Sequence, residues 1–434
     1  MDTSLPHLYK DYGQYSNYRN FPLDIDGLKP VERRVLLSAY KIARNKFVKS
    51  RQVDAYTIGH YHPHGECYGT IVQMVRQGFL DGQGNFGTNV GVEPVGPAAP
   101  RYTECKMSSS TIDMMFKYIK YVPIVDSELG DKEPIYLPTM FPVCLMGGDY
   151  TQGIGFGYKT FIPCYNVRDL HQRLLWLLGV RKRKPIIAPI TDCNILSPPD
   201  VVETLLTSGS AKIEVEGVVE INHRKSSLTL RSWPPGKRFE SFLNKFAKEL
   251  NENMIGFTDL SVSQTEIVFQ VLRERNRVKI FEEFVEKMKD AVKGFLSFDM
   301  VMVDSHQKVF TKSVDDMLLD TYNMFCTMNE EMLNQESKKI NEVIEEYKVL
   351  EKIKSPLSKC IGEGQSIDTT VEYIFKHTKI PKDVILGLVE KYKIRKLLTL
   401  NTDTKQLQEK LEEYKKNLKE IDKFVLDQYN KIVK

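Results

Sequence analysis

The most regular apolar spacing in the chain is Leu407, Leu411, Tyr414, Leu418, Ile421, Val425, Tyr429 and Ile432, recurring in steps of four and three. That is the seam of a long coiled-coil-like helix, predicted over 404–433. An earlier stretch, 324–354, places Met332, Ile340, Val343, Ile344, Tyr347 and Leu350 on one stripe. It is predicted to stop at Ser355-Pro356, because a proline disfavours helical backbone in the residue before it. At about 1.5 Å per residue, some 28 residues reach about 42 Å. Paired antiparallel, the two helices would form a stalk carrying 355–403 as a knob.

Toward the N-terminus, Val31, Val35, Leu36, Ala39, Ile42, Ala43 and Phe47 keep helical spacing, with Pro30 suited to the first helical position. The segments that follow read differently. HYHPHG, a short apolar run at 70–75 and the glycine-rich DGQGNFG lead to a Pro-rich stretch, 91–100, so Tyr102 is expected on or beside a loop from which a side chain can reach outward. From Ala211 to Trp233, alternation in KIEVEGVVEI and SLTLRSW, joined by NHRKS, predicts antiparallel strands. A helix is expected again from Arg238 to Leu250.

With 434 residues, 41% hydrophobic and 27% charged, the chain has the composition of a globular protein with two or three cores. Its seven cysteines form no CxxC pair and no zinc-ligand spacing, so they read as reduced thiols of a cytoplasmic protein. The polar N-terminus is not a signal peptide, and no run approaches eighteen apolar residues, which argues against a membrane segment.

The formal charge of +4 says little, but its distribution says more. Between Lys29 and Arg51 stand Lys29, Arg33, Arg34, Lys41, Arg44, Lys46, Lys49 and Arg51, opposed only by Glu32. This predicts a basic face for a phosphate backbone. His60, His62 and His64 alternate as zinc ligands on an extended segment can. With Pro63 stiffening the run, a polar loop with phosphate-facing imidazoles is the reading taken. RKRK at 181–184 reads as a solvated loop rather than a nucleic-acid patch.

Arg101-Tyr102 carries little weight alone, but the order of motifs carries much. YRNFPLDIDGLKPVERRVL, GHYHPHGE, DGQGNFG, PRYTE, YLPTMFPVCLMGG and GIGFGYKTFIP follow one another, and KIRKLLTLNTDTKQLQEKLEEY comes late. This series resembles the cleavage subunit of type IIA DNA topoisomerases, gyrase A and topoisomerase IV A and their relatives. The length resembles the short subunit of split, phage-type enzymes, with no gyrase-like DNA-wrapping domain expected after residue 434.

The resemblance implies an α+β multi-domain fold: an N-terminal arm (1–28), a winged-helix domain bearing the catalytic tyrosine (29–130), a mixed α/β tower domain (131–320), and a coiled-coil stalk with a helical dimerisation knob (321–434). It implies that Tyr102 attacks a DNA phosphodiester and becomes joined to a 5′-phosphate. A free phenol titrates at about 10, so attack at neutral pH calls for a base or cationic surroundings. Arg101, Arg19 and His62 are the groups implied to meet the scissile phosphate as cations. Lys29, Arg33, Arg34 and His64 are implied to hold the DNA backbone. Ile162, before Pro163, is implied to be an apolar wedge entering a base step, with a core isoleucine as its plain alternative.

No acidic cluster for magnesium is found, so Mg²⁺ and ATP are expected on a separate ATPase-Toprim chain. The implied partners are double-stranded DNA, that ATPase-Toprim chain, and a second copy of this chain docked through the knob as an exit gate. Relaxation or decatenation of DNA is the implied activity. HPHG is followed here by Glu66-Cys67-Tyr68-Gly69, and Gln73 stands where the bacterial pattern has arginine. Quinolone sensitivity and one phosphate contact are therefore open. A tyrosine recombinase would need its tyrosine near the end of the chain, a DNA clamp without cleavage would leave Arg101-Tyr102 unexplained, and a coiled-coil scaffold would leave the motifs from Arg19 to Pro163 unexplained.

Overall fold

The computed structural model describes residues 4–91, 95–252, 255–272, 276–362, 366–392 and 400–433. The chain divides into two compact units, one formed by 1–325 with 429–434, the other by 326–428. Residues 92–94 of the loop before Tyr102, and 393–399 of the late motif, lie outside the described residues. Among the described residues no helix is long and apolar enough to cross a membrane.

In the first unit, helix α1 (Ser4–Asn20) precedes a turn and helix α2 (Pro30–Ile42). Pro30 opens α2, and the Glu32 carboxylate accepts the Lys29 backbone N–H at 2.9 Å, closing the helix start. The turn before it depends on Gly27. Its φ is +70°, and a Cβ there would lie 2.9 Å from the backbone nitrogens of Val143 and Cys144. Val35, Leu36 and Ala39 bury the face of α2 that the apolar spacing predicts. Helices α3 (Ser50–His60) and α4 (Tyr68–Arg76) pack against α2, so the apolar run at 70–75 is helical. Strands β1 (Val48–Lys49), β2 (Leu80–Gln83) and β3 (Glu104–Met107) form an antiparallel sheet in the order β1-β3-β2. A short hairpin follows, β4 (Ile124–Asp126) with β5 (Lys132–Pro134).

The predicted strands between 211 and 233 form, but they divide between two sheets at Gly217-Val218. Residues Ser210–Glu216 join a five-stranded sheet whose other members include Thr151–Ile154, Lys159–Ile162 and Lys293–Asp299. Val219–Asn222 and Ser227–Leu230 pair as a hairpin across NHRKS in a four-stranded sheet. That sheet buries Leu228, Leu230 and Phe269 against the helices Phe239–Glu252 and Arg277–Ala291, which contribute Phe242, Phe281, Phe284 and Met288.

In the second unit the helical stripe is longer than the sequence predicts. The helix runs Val314–Gly362, beginning in the first unit and continuing through Pro356 instead of stopping before it. Buried Leu350, Ile353 and Leu357 hold both sides of that proline in one core with Ile374, Ile385 and Leu388. Packing on either side thus overrides the local cost of the missing N–H. The late helix is correspondingly less regular: it is two helices, Lys405–Lys419 and Ile421–Val433, separated at Glu420 (φ −118°, ψ 45°). Contacts meet the long helix in reverse order. Lys354 Nζ reaches the Leu400 carbonyl and Thr402, Ile340 and Ile344 pack with Leu407, Leu411 and Tyr414, and Gln428 bonds Asn329.

Candidate active site and nucleic-acid interface

Tyr102 sits one residue before the buried Thr103, at the entry to β3. Period-two alternation turns Thr103, Cys105 and Met107 inward, and Tyr102 outward. Its backbone is clamped: Tyr102 N–H donates to the Ala99 carbonyl at 2.8 Å, and Ser50 N–H donates to the Thr103 carbonyl at 2.9 Å. The Thr103 hydroxyl bonds Ser50 and Tyr68 at 2.8 and 3.0 Å. The result is a 64% exposed phenol on a fixed base. Among the described residues nothing takes its hydroxyl, and the Arg101 guanidinium lies 4.5 Å from its ring centroid. A cation at that distance favours negative charge developing on the ring and its oxygen.

A second group forms around HPHG, with no contact to Tyr102 among the described residues. The Tyr15 hydroxyl meets His64 Nε2 at 2.6 Å, and His64 Nε2 meets Glu128 at 2.8 Å. Arg34 donates to Glu128 at 3.0 Å and through a fork to Glu133 at 3.0 and 2.9 Å, with His62 Nδ1 at 3.3 Å. Arg19, at the end of α1, stacks its guanidinium 5.7 Å over Tyr15, and its buried Nε has no hydrogen-bond acceptor. His60 turns away to Asp131 at 3.0 Å and stacks on Tyr56. Acidic partners therefore do reach the imidazoles, but from sixty or more positions along the chain, where sequence spacing cannot reveal them. Among the described residues no three His, Cys, Asp or Glu side chains converge on a possible metal position.

Three expectations change. His62 is 8% exposed, and burial, together with Arg34, His64 and Arg19, pushes its imidazole down to about 4. At neutral pH it is a neutral acceptor, not a cation. Arg33 is not on a basic face: it is buried, with Nε and Nη2 on Asp26 at 2.7 and 3.0 Å and a third bond to the Leu28 carbonyl. Asp26 also accepts the N–H groups of Leu28 and Leu137. The pair is thus a structural brace. Arg34 is likewise buried and doubly paired, so the predicted basic face loses Arg33 and most of Arg34, while Lys41, Arg44, Lys46, Lys49 and Arg51 remain exposed. Lys29 is partly exposed and hydrogen-bonds the Gln152 carbonyl.

The third change concerns the wedge. Ile162 is completely buried in the five-stranded sheet, so the core alternative holds for it. The apolar side chain that stands out of the same hairpin is Ile154, 81% exposed, paired with Lys159 and followed by exposed Phe156 and Tyr158. The hairpin tip is seated on α1: Asn17 bonds both backbone groups of Phe156, and a Cβ on Gly155 would overlap Asn17 Oδ1. The signal was present in GIGFG, where glycines flank an isoleucine that no core can claim.

The family model for the A subunit of DNA gyrase/topoisomerase IV matches residues 19–434. The DNA gyrase A subunit of Mycolicibacterium smegmatis is 30% identical over 264 residues, 55% of this chain and 30% of the relative. That of Lawsonia intracellularis is 32% identical over 285 residues, 58% of this chain and 33% of the relative. That of Haemophilus influenzae is 41% identical over 159 residues, 33% and 17% of the two chains. The matched region spans about a third or less of the length of these relatives. Since the family model covers nearly the whole sequence, from Arg19 onward, the chain belongs to the family of DNA gyrase/topoisomerase IV A subunits.

Proposed function

We propose that this chain is the DNA-breaking and rejoining subunit of an ATP-dependent type II DNA topoisomerase, with Tyr102 as its nucleophile. The observation that carries the reading is the exposed Tyr102 hydroxyl on a clamped backbone beside Arg101. In the reaction Tyr102 Oη bonds to a backbone phosphorus while the bond from phosphorus to the 3′-oxygen breaks. The phenolic proton is lost, the 3′-oxygen gains one, and the 5′-phosphate stays on the tyrosine. One phosphodiester replaces another, so the reverse step reseals the strand.

Arg101 favours the developing charge, and Arg19, whose buried Nε has no acceptor of its own, is a donor suited to a phosphate oxygen. Lys29, Arg34 and His64 line the DNA backbone, and neutral His62 accepts rather than adds charge. Ile154 takes the wedge role. The three helices and three-stranded sheet around Tyr102 support a winged-helix reading of 29–130, with 131–320 as the tower. The reverse-order contacts of the long helix with 400–428 support a coiled-coil stalk, with 355–403 as a dimerisation gate.

Among the described residues no side chains converge on a magnesium site, so no step is assigned to a metal here. Mg²⁺ and ATP belong in this reading to a separate Toprim-ATPase chain. Relaxation or decatenation of DNA then requires two copies of this chain, one Tyr102 for each strand.

The test mixes the chain with that partner, Mg²⁺ and supercoiled plasmid, stops the reaction with detergent and digests with protease. Linear DNA with protein-blocked 5′ ends in wild type, absent in Tyr102→Phe, is expected. Equal linearisation by Tyr102→Phe removes Tyr102 as nucleophile, and no cleavage by either favours a clamp that holds DNA without cutting it.

A further inference from the structure

Arg34 and His64 face a carboxylate, not open solvent. Arg34 has one edge, Nε and Nη2, forked onto Glu133, whose side chain is 11% exposed. That pair alone compensates the buried charge. The other donor, Nη1, reaches Glu128 Oε1 at 3.0 Å, while His64 Nε2 and the Tyr15 hydroxyl converge on Glu128 Oε2 at 2.8 and 3.1 Å. Two oxygens of one anion thus take a guanidinium, an imidazole and a phenol, a donor set equally suited to two non-bridging oxygens of a phosphate.

We propose that Glu128 is a built-in stand-in for a DNA phosphate, holding the seat formed by Arg34, His64 and Tyr15 until a duplex displaces it. The inference rests on the reading of this face as a DNA-backbone surface.

Glu128 is suited to leave. It lies on the turn of the β4–β5 hairpin, its side chain is 34% exposed, and Ile124, Val125 and Leu129 around it are exposed too. The turn is closed by backbone bonds, Ser127 N–H to the Asp131 carbonyl and Gly130 N–H to the Ser127 carbonyl, in which the Glu128 side chain has no part. Burial alone would raise its carboxyl, but Arg34 and His64 hold it below the ordinary range, so it is ionised at neutral pH. An ionised carboxylate left in place would face an arriving phosphate at contact distance, and like charges there repel. Binding through this seat therefore exchanges one anion for another, which lowers affinity for any duplex and keeps the arginine paired when DNA is absent.

The test is the affinity of the full chain for a fluorescent duplex, read by anisotropy, with melting curves to establish folding. Glu128→Gln keeps the shape and removes the charge, and should bind about two- to fivefold tighter, the size of a partly exposed ion pair. Asp126→Asn, on the same hairpin but paired with Lys132, controls for bulk charge and should change little. Arg19→Ala reports on the DNA face itself and should weaken binding. If Arg19→Ala weakens binding while Glu128→Gln leaves it unchanged or weaker, the stand-in is wrong and the DNA face survives. Equal tightening by Asp126→Asn also overturns it, and unchanged affinity in both Arg19→Ala and Lys29→Ala removes the DNA face and the stand-in together.

Discussion

Arg33 and Arg34 are neighbours in sequence and both look like phosphate ligands, yet Asp26 claims the first and Glu133 and Glu128 the second. Removing one partner of a buried pair leaves the other charge uncompensated, which costs about 3–5 kcal/mol. Arg33→Ala is accordingly expected to lower stability by that order in urea unfolding, a far larger loss than Lys29→Ala, whose side chain is partly exposed. His62 gives a pH signature. Its folded value of about 4 lies below the ordinary 6.5, so the unfolded chain binds more protons between those values. The contribution is complete above pH 6.5 and is lost as pH falls from 6.5 to 4, by about 3 kcal/mol. Urea midpoints for His62→Gln should lack that part of the acid slope; an unchanged slope would mean the imidazole is charged in the folded chain. The motifs named Tyr102, Arg101, Arg19 and the histidines because those residues recur in fixed order. They could not name Asp26, Glu128 or Glu133 as partners, since pairing across 7 to about 100 positions is a property of the fold.

At the scale of elements, periodicity located the helices near 31–47, 238–250, 324–354 and 404–433 and the strands between 211 and 233, and packing decided where they end. Pro356 is the clearest case, because the rule that a proline halts a helix lost to a core formed on both sides of it. Pro356→Ala restores the missing N–H and should stabilise the chain by about 1–3 kcal/mol, seen as a raised unfolding midpoint. A drop instead would mean that the ring fills a needed space. Alternation likewise found the strands between 211 and 230 but not their division between sheets, which depends on which partner strand arrives later in the chain. The hairpin bearing Ile154 offers a sharper separation of stability from function. At 81% exposure, Ile154→Ala should leave the melting temperature within about 1 °C, as surface substitutions do. It should reduce the DNA bend measured by energy transfer between end-labelled duplex arms, whereas Ile162→Ala, in the core, should cost about 2–5 kcal/mol.

At the scale of the whole molecule, the two compact units part between Phe325 and Cys326, inside the helix Val314–Gly362 and near the start of the stripe that the apolar spacing marks from 324. The second unit leaves Phe375, Val384 and Leu386 exposed on Ile367–Thr378 and Lys382–Tyr392. If 355–403 is the dimerisation gate, Phe375→Glu with Leu386→Glu should shift sedimentation from dimer toward monomer without loss of helix signal. An unchanged dimer would move the interface elsewhere.

The first unit is also discontinuous. Tyr429 is fully buried in it, its ring against Phe141, Tyr322 and Phe325 and its hydroxyl on the Met140 carbonyl. A ribosome must therefore make all of 326–428 before it can deliver the side chain that completes a core begun some 290 residues earlier. Until then Phe141 and Phe325 lack the Tyr429 ring that packs on both, so nascent chains halted before 429 should be cut by protease near those residues faster than chains extended past it.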